Sequence, residues 1–337
     1  MSKGKKETKT LFVYSYLPSF VCRDLEILER HFTVKNITAT TFLLPRKGRD
    51  PWVFLRLLKG ILWADVVYSW WADLNAFFIV LFCLFLRKKC MIVIGGYEVA
   101  NVPEINYGAL NSVLNRVRVR FILEHASKVL AVSQSSGREI TRFTKPKRLE
   151  LVYNGVDTEE FKPLGVKENL VITVGKITDS TINKKRFDIF VQASRYLPDI
   201  QFVVIGKYDC SVADLKRLAG SNVIFTGYLS NEALLRYYQS AKVYCQLSTQ
   251  ESFGVALAEA MSCCCVPVTT RRYALPEVVD DTGFYVPYDD PKATADAIRN
   301  ALKSDKGIKA RNRIKKCFSI KTREKKLIAE ILDLARC

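Results

Sequence analysis

Short apolar runs of strand length alternate with longer helical segments along the chain, and the whole alternation occurs twice. The apolar runs of the first half are residues 11–17, 33–39, 65–70, 90–94 and 128–133. Those of the second half are residues 170–174, 201–205, 223–226, 243–246 and 266–269. Buried strands joined by helical crossovers indicate parallel sheets that are covered on both faces. The sequence therefore predicts an α/β chain of two Rossmann-like domains facing each other across a cleft, with ligands bound beyond the carboxyl ends of the strands.

A turn-rich joint at residues 153–157 separates the two halves of this 337-residue chain, which is long enough for two domains of ordinary size. We therefore expect an N-terminal domain of residues 1–152 and a C-terminal domain of residues 153–320. The remaining segment, residues 321–337, is predicted to form a final helix.

The formal net charge is +18, and most of it falls in the first half of the chain. Such a field attracts nucleic acid, anionic lipid or phosphorylated substrates. No helix-turn-helix, zinc-finger or RNA-binding signature accompanies the charge, so we expect no nucleic-acid partner. A lysine-rich, solvated surface without a partner is the alternative.

One uniformly apolar stretch, residues 76–86, ends at the basic run Arg87, Lys88 and Lys89. It is shorter than the roughly 20 residues needed to cross a bilayer, and a strand-like run follows it at once. We therefore predict a helix buried against a sheet. An anionic membrane surface contacted by the three basic residues is the alternative.

The ten cysteines are scattered, apart from three consecutive ones at positions 263–265. This spacing is typical neither of a disulfide framework nor of a metal site. The N-terminus shows no secretory signal. We expect a reducing, cytoplasmic location, with attachment to the inner face of the cell membrane as an open alternative.

Residues 251–270 carry the strongest chemical signal of the chain. Glu251 precedes a glycine-containing turn, a helical run that includes Glu259 follows, and a β-branched run closes the segment. The order predicts a helix N-terminus, which favours phosphate. If both glutamates were helical, they would lie about 12 Å apart along the axis, too far to act as one proton-sharing pair. We expect them to contact separate parts of one elongated, phosphorylated ligand.

This segment resembles the E-x7-E signature of retaining glycosyltransferases of the family 4 type (group 1), which use nucleoside-diphosphate-sugar donors. The resemblance extends over most of residues 125–300 and more loosely over the N-terminal half. It implies the GT-B fold, with residues 1–152 as the acceptor-side domain and residues 153–320 as the nucleotide-sugar-binding domain. It also implies that the helix in residues 321–337 packs back on the N-terminal domain.

The resemblance assigns cations to the donor diphosphate. Gly175 and Lys176 end a predicted strand where the family has a Gly-Arg pair, and Lys185 matches a family lysine. Arg186 stands where the family has glycine, which is a departure. Gly227 matches a family turn that lines the nucleobase end of the cleft. A plain basic loop exposed to solvent is the alternative for this cluster.

The same resemblance divides the labour within residues 251–259. Glu259 is expected to accept hydrogen bonds from the ribose hydroxyls, and Glu251 is expected to act near the transferred sugar. Backbone N–H groups of Phe253, Gly254 and Val255 are expected to hold sugar hydroxyls or the β-phosphate.

On the acceptor side, Gly95 and Gly96 follow a predicted strand and precede Glu98. Relatives carry a histidine in this loop, so Glu98 is our candidate for the corresponding catalytic role. The first loop, residues 18–23, lacks the paired glycines of the family, which leaves Arg23 as the one candidate for phosphate contact there.

No DxD triplet occurs, and lysines supply positive charge, so we expect neither a metal ion nor a cofactor beyond the donor substrate. The sequence predicts a retaining, metal-independent glycosyltransferase that moves a sugar from a nucleoside-diphosphate sugar to a glycan or lipid-linked acceptor. The alternatives are a nucleotide-sugar epimerase of related fold and a non-catalytic nucleotide-sugar-binding subunit.

Overall fold

The computed structural model describes residues 7–38 and 52–336. Ala39, at the end of a predicted strand, and Cys337 lie outside the described residues. The chain divides into two compact units. Unit 1 comprises residues 1–154 and 322–337, and unit 2 comprises residues 155–321.

Unit 1 contains a six-stranded parallel sheet with the strand order β2-β1-β3-β4-β5-β6. The strands are β1 (Lys9–Tyr14), β2 (Thr33–Thr38), β3 (Val66–Trp70), β4 (Lys89–Ile94), β5 (Lys128–Ala131) and β6 (Leu149–Leu151). The helices between them are α1 (Ser19–His31), α2 (Val53–Trp63), α3 (Leu74–Phe85), α4 (Val113–His125) and α5 (Gln134–Phe143). The order reverses between β1 and β3, which opens a crevice at their carboxyl ends.

Unit 2 contains a second six-stranded parallel sheet, of order β12-β11-β10-β7-β8-β9. Its strands are β7 (Glu168–Val174), β8 (Gln201–Ile205), β9 (Val223–Gly227), β10 (Ala241–Gln246), β11 (Val266–Thr270) and β12 (Phe284–Val286). Its helices are α6 (Asp179–Lys185), α7 (Phe187–Ala193), α8 (Val212–Leu218), α9 (Asn231–Ser240), α10 (Val255–Ser262), α11 (Leu275–Val279), α12 (Pro291–Leu302) and α13 (Lys306–Cys317). Here the order reverses between β7 and β10.

Each predicted apolar run overlaps a strand, so the prediction of two parallel sheets is confirmed. The first run was placed too late, because β1 ends at Tyr14 and residues 15–17 turn away from the sheet. Two strands escaped prediction, β6 and β12. Both are three-residue edge strands that are only partly buried, and so short a run carries little periodic signal.

The apolar stretch at residues 76–86 lies in α3, and the prediction of a core helix is confirmed. The Asp73 carboxylate caps the helix by accepting hydrogen bonds from the backbone N–H groups of Asn75 and Ala76. One face of α3, including Ile79 and Val80, is buried in the hydrophobic core of unit 1. Within residues 7–38 and 52–336, no helix has the length and apolar content needed to cross a membrane.

The last helix, α14 (Ile320–Arg336), is anchored in unit 1 by a buried ion pair. The Arg323 guanidinium donates to both carboxylate oxygens of Asp24 on α1, at 2.6 Å each. Tyr68 and Trp70 of β3 also donate to this carboxylate, at 2.5 and 2.9 Å. The remaining Arg323 nitrogen donates to the carbonyls of residues 152 and 153. The network therefore joins α1, β3 and α14 in a site that is almost sealed from water.

A second cation fixes the other end of α14. The Lys128 ammonium, buried at the start of β5, donates to the carboxylates of Glu330 and Asp333 at 2.6 and 2.8 Å. Burial by itself lowers the pKa of Lys128, but the two hydrogen-bonded carboxylates more than offset that effect and leave its pKa raised.

We expect Arg323→Met to destabilise unit 1 by about 3–5 kcal/mol, because the buried Asp24 would lose its cationic partner. All four tryptophans lie in unit 1, so tryptophan fluorescence during urea unfolding reports on that unit. The control is Arg30→Met in unit 1, which breaks the ion pair of the 57% exposed Arg30 with Glu324 and is expected to cost less than about 1 kcal/mol. An unchanged urea midpoint for Arg323→Met would contradict the anchoring role assigned to the Arg323–Asp24 pair.

Candidate functional site

The crevice of unit 2 opens at the carboxyl ends of β7 and β10, where the strand order reverses. Gly175 follows β7, and the segment of residues 247–254 follows β10 and leads into α10. Parallel sheets bind ligands at this kind of reversal. The predicted donor residues lie on the elements around it.

Glu251 is held in this crevice by several donors. Its Oε1 atom accepts from Lys185 Nζ at 2.5 Å, from Gln246 Nε2 at 2.9 Å and from Ser248 Oγ at 3.0 Å. Burial raises the pKa of Glu251, but the charges of Lys185 and Lys184 and these hydrogen bonds outweigh burial and leave its pKa lowered. The ionised carboxylate therefore stabilises the fold at neutral pH, and that contribution is lost as the pH falls through the lowered pKa.

Lys185 ends α6, and its side chain lies across Gly175. A Cβ atom on Gly175 would lie 3.4 Å from Lys185 Cε and 3.1 Å from Phe187 Cζ, so the position has little room for a side chain. The structure therefore brings Gly175, Lys185 and Glu251 together, although 66 residues separate the lysine from the glutamate.

Lys176 and Lys184 flank this group. Lys176 is exposed directly after Gly175, and its charge contributes, after the hydrogen bonds of Ser211, to the lowered pKa of Asp209. Lys184 is partly buried, and burial lowers its pKa although the nearby Glu251 carboxylate opposes the shift.

Three glycines stand side by side at the ends of β7, β8 and β9. Gly206 is the one that sequence reasoning missed, although it directly follows the strand at residues 201–205. A Cβ atom on Gly206 would lie 2.2 Å from the carbonyl oxygen of Gly175, and its N–H donates to the carbonyl of Gly227 at 3.1 Å. Gly227 has φ 72°, a left-handed value that glycine adopts at little cost. At the ends of these three strands, the backbone therefore carries no side chains that would cover it.

The turn before α10 also needs glycine. Gly254 is the N-cap residue of α10 and has φ 91°. Phe253 before it is buried and packs edge-to-face on Phe318, with ring centroids 5.4 Å apart. Val255 begins the helix, so the first amides of α10 lie directly after the Glu251 turn.

Glu259 lies one to two turns further along α10 and is half-buried. Its Oε2 atom accepts from the Tyr238 hydroxyl at 3.3 Å. Burial, and then the Glu259 charge, holds the pKa of Tyr238 well above its usual value. Both Glu251 and Glu259 also contribute, after burial, to the raised pKa of Tyr244, whose hydroxyl donates to Gln246. The two glutamates therefore belong to one polar group.

Arg186, the departure from the family pattern, now has a structural explanation. Its backbone is left-handed, with φ 54°, a conformation in which glycine is the usual residue. Its guanidinium forms ion pairs with Asp188 and Asp289 and stacks over the Tyr288 ring at 4.6 Å. Arg186 thus fastens the segment before α12 to the start of α7, and these contacts offset the strained backbone.

In unit 1, Glu98 is buried in the loop after β4. Its carboxylate accepts from the backbone N–H groups of Ala72, Gly95 and Gly96, at 3.3, 3.1 and 2.8 Å. Burial raises its pKa despite these hydrogen bonds. Both oxygens therefore bind the backbone of their own unit, and the catalytic role of Glu98 stays a prediction.

The histidines and the first loop of unit 1 have local contacts. His31 Nε2 lies 2.7 Å from Glu324 Oε1, and His125 Nδ1 lies 2.9 Å from the carbonyl of Phe121. Arg23, the phosphate candidate of the first loop, lies on α1 and forms a 3.7 Å ion pair with Glu26.

Comparison with known proteins places both units in described families. Residues 156–317 match the family described as Glycosyl transferases group 1, and residues 19–160 match the family described as Glycosyltransferase Family 4. One subunit of the phosphatidylinositol N-acetylglucosaminyltransferase of Arabidopsis thaliana is 26% identical over 240 residues, which are 66% of this chain and 54% of that protein. The N-acetyl-alpha-D-glucosaminyl L-malate synthase of Bacillus anthracis is 29% identical over 205 residues, 56% of this chain and 53% of that protein. The chain thus spans about half the length of these curated relatives.

Solved structures agree in fold. A sucrose-phosphate synthase from Thermosynechococcus elongatus has a TM-score of 0.76 at 17% identity, over 97% of this chain and 99% of that one. Anabaena HepE in complex with UDP and glucose has a TM-score of 0.77 at 17% identity, over 97% of this chain and 100% of that one. At such identities the likeness shows the fold alone, and the prediction of the GT-B fold is confirmed. The two family matches together run from residue 19 to residue 317, and this chain belongs to the group 1 glycosyltransferases of the family 4 type.

Proposed function

We propose that this protein is a retaining, metal-independent glycosyltransferase that moves a sugar from a nucleoside-diphosphate sugar to a glycan or lipid-linked acceptor. The observation that carries the proposal is the Lys185–Glu251 ion pair over Gly175, at the point where the strand order of unit 2 reverses. Curated relatives named as transferases and synthases of sugar-containing products support it.

The donor diphosphate is proposed to bind between Lys185 and the N-terminus of α10. A lysine ammonium has three N–H donors, so Lys185 can keep Glu251 and still donate to a phosphate oxygen. The N-terminus of α10 adds partial positive charge, and the exposed Lys176 adds a full charge. These groups supply the positive charge that a departing diphosphate needs, without assistance from a metal ion.

The chemical step proposed for the transfer conserves the configuration at C1 of the sugar. The bond from C1 to the diphosphate oxygen breaks, and the acceptor oxygen forms the new bond on the same face. The acceptor proton passes to the departing phosphate. Fixed donors around that phosphate stabilise the charge it gains, because they need no reorganisation during the step. Glu251, ionised by its lysine neighbours, is proposed to orient the transferred sugar, and Glu259 the ribose.

We expect Lys185→Met to weaken UDP binding by at least about tenfold, since a charge-assisted hydrogen bond to phosphate is lost. UDP is the first probe because HepE was solved with it, and GDP and ADP complete the panel. Calorimetry should show that affinity for uridine, which lacks phosphate, changes much less. Lys292→Met, at an exposed position on α12, is the matched control. Wild-type UDP affinity in Lys185→Met would contradict the phosphate role.

We expect Glu259→Ala to weaken nucleotide-sugar binding and Glu251→Ala to lower turnover with little change in binding. The physical reason is that one carboxylate is assigned to the ribose and the other to the reacting sugar. Binding is measured by calorimetry with UDP-glucose, UDP-N-acetylglucosamine and GDP-mannose, and turnover by release of nucleoside diphosphate. The control is Glu159→Ala, at an exposed position of unit 2. Unchanged donor affinity in Glu259→Ala would contradict the assignment of Glu259 to the ribose.

The same assays separate the two alternatives. A nucleotide-sugar epimerase would convert one free nucleotide sugar into another and release no nucleoside diphosphate. A non-catalytic binding subunit would be stabilised by a nucleotide sugar without either reaction.

For the acceptor, we propose a lipid-linked glycan reached from the cytoplasmic face of an anionic membrane. The basic run at residues 87–89 already has one partner within the protein, because Lys88 donates to the carbonyl of Ala64 at 2.9 Å. The start of α4 suits a membrane better. Val113, Leu114 and Val117 are exposed there, Leu114 by 82%, and the arginines at positions 116 and 120 are exposed beside them. Apolar side chains flanked by arginines match an interface of acyl chains and anionic headgroups.

We expect Val117→Asp to abolish flotation of the protein with vesicles that contain anionic phosphatidylglycerol. The substitution adds a negative charge to a residue that would insert. The control is Val166→Asp, which makes the same change at a 91% exposed valine of unit 2. Equal loss of flotation in both variants, or no flotation of the wild type, would refute the membrane surface.

A further inference from the structure

The strand reversal in unit 1 has its own set of side chains, which sequence reasoning did not identify. Tyr16 lies just after β1, and Trp71 directly follows β3, the two strands at which the order reverses. Their rings are stacked, with centroids 3.8 Å apart and planes 15° from parallel. The position is the one at which open parallel sheets bind ligands.

Trp71 is rigidly held. It is only 7% exposed, and its backbone N–H donates to the carbonyl of Val93 at 2.8 Å. Its φ is 67°, a left-handed value that is unusual for a bulky aromatic residue and that tends to occur at functional sites. A Cβ atom on Gly95 would lie 2.7 Å from the indole Nε1, so the glycine leaves space for the ring.

Glu98 supports this arrangement. By accepting from the backbone N–H groups of Ala72, Gly95 and Gly96, it ties the residue after Trp71 to the glycine turn beside the indole. Glu98 therefore acts on the aromatic pair as a positioning residue.

Tyr16 is 58% exposed although one face of its ring is covered by Trp71. Its other face is therefore available to solvent. An aromatic face fixed by a buried partner is a preorganised surface, because little side-chain freedom is lost when a ligand stacks on it.

The surroundings of Tyr16 are polar and negative. The Ser15 hydroxyl donates to the Asp73 carboxylate, and Asn75 Nδ2 donates to Ser15 Oγ at 2.9 Å. Partial burial of Tyr16, followed by the charges of Glu98, Tyr107 and Asp73, raises its pKa to about 12. A negative field disfavours phosphates and carboxylates. It tolerates a neutral ring that carries hydroxyl groups.

We propose that Tyr16, stacked on Trp71, forms the ring-stacking surface of a binding site in unit 1. The ligand of this site is a neutral saturated ring with hydroxyl groups, a pyranose or cyclitol. The apolar C–H face of the ring stacks on the tyrosine, and its hydroxyls face the polar rim. If the proposed function holds, this ring belongs to the acceptor. The identification of the ring as acceptor rests on that function, whereas its binding to Tyr16 does not.

The test is saturation-transfer NMR on the full chain, with and without UDP. The probes are methyl α-D-glucopyranoside, methyl α-D-mannopyranoside, methyl N-acetyl-β-D-glucosaminide and myo-inositol. We expect at least one probe to bind with saturation of its C–H face, and Tyr16→Ala to weaken that binding by about tenfold. Tyr16→Phe, which keeps the ring, should change it by less than about threefold. Phe85→Ala, a 77% exposed aromatic at the far end of α3, is the matched control and should change nothing.

Charge provides the second arm of the experiment. Glucose 6-phosphate should bind more weakly than glucose, because the local field is negative. Three outcomes would overturn the proposal: no probe binds in either condition, Tyr16→Ala binds like the wild type, or the phosphorylated sugar binds more tightly. UDP titrated into the wild type tests the proposed function separately, so a failure of UDP binding leaves the pyranoside result standing.

Discussion

The reversal of strand order within each parallel sheet is the constraint on which the chemistry of this protein depends. Neighbouring strands whose connections leave in opposite directions cannot both be covered at their carboxyl ends, so a crevice opens there. In unit 2 the reversal between β7 and β10 brings Lys185 and Glu251 together over the backbone of Gly175. In unit 1 the reversal between β1 and β3 brings Tyr16 onto Trp71. The same reversal of strand order thus brings together a lysine–glutamate pair in unit 2 and an aromatic pair in unit 1.

The two buried ion pairs of this protein differ in their exposure to solvent, and their roles differ accordingly. The Arg323–Asp24 pair is almost sealed from solvent and has its hydrogen bonds distributed over protein groups, so its role is structural. In the Lys185–Glu251 pair, by contrast, the two side chains keep 21% and 13% of their surface exposed. The pair is therefore accessible to solvent. Because an isolated buried charge costs several kcal/mol, each group offsets the cost of burying the other.

A left-handed backbone at non-glycine residues is a second feature that recurs in this structure. Trp71 and Arg186 both adopt it, and both are held by contacts from several elements. At Arg186 the backbone strain is offset by contacts with two carboxylates and an aromatic ring. At Trp71 it is offset by ring stacking and a main-chain hydrogen bond, and Gly95 leaves space for the indole. Trp71 has this backbone directly after a strand, and Arg186 has it between two helices, so in each case it sets the direction of a large side chain at the end of an element.

The sequence by itself determined the two parallel sheets, because buried strands and helical crossovers leave a periodic pattern in the order of residues. It also placed Gly175 after a strand and Glu251 before a helix, whereas Lys185 and Gly227 became candidates through the family resemblance. Only the tertiary structure decided which of these side chains meet. The contact of Lys185 with Glu251, the anchoring of α14 by Asp24 and the stacking of Tyr16 on Trp71 join residues far apart in the chain. Such contacts are set by strand order and side-chain direction, which no local pattern records.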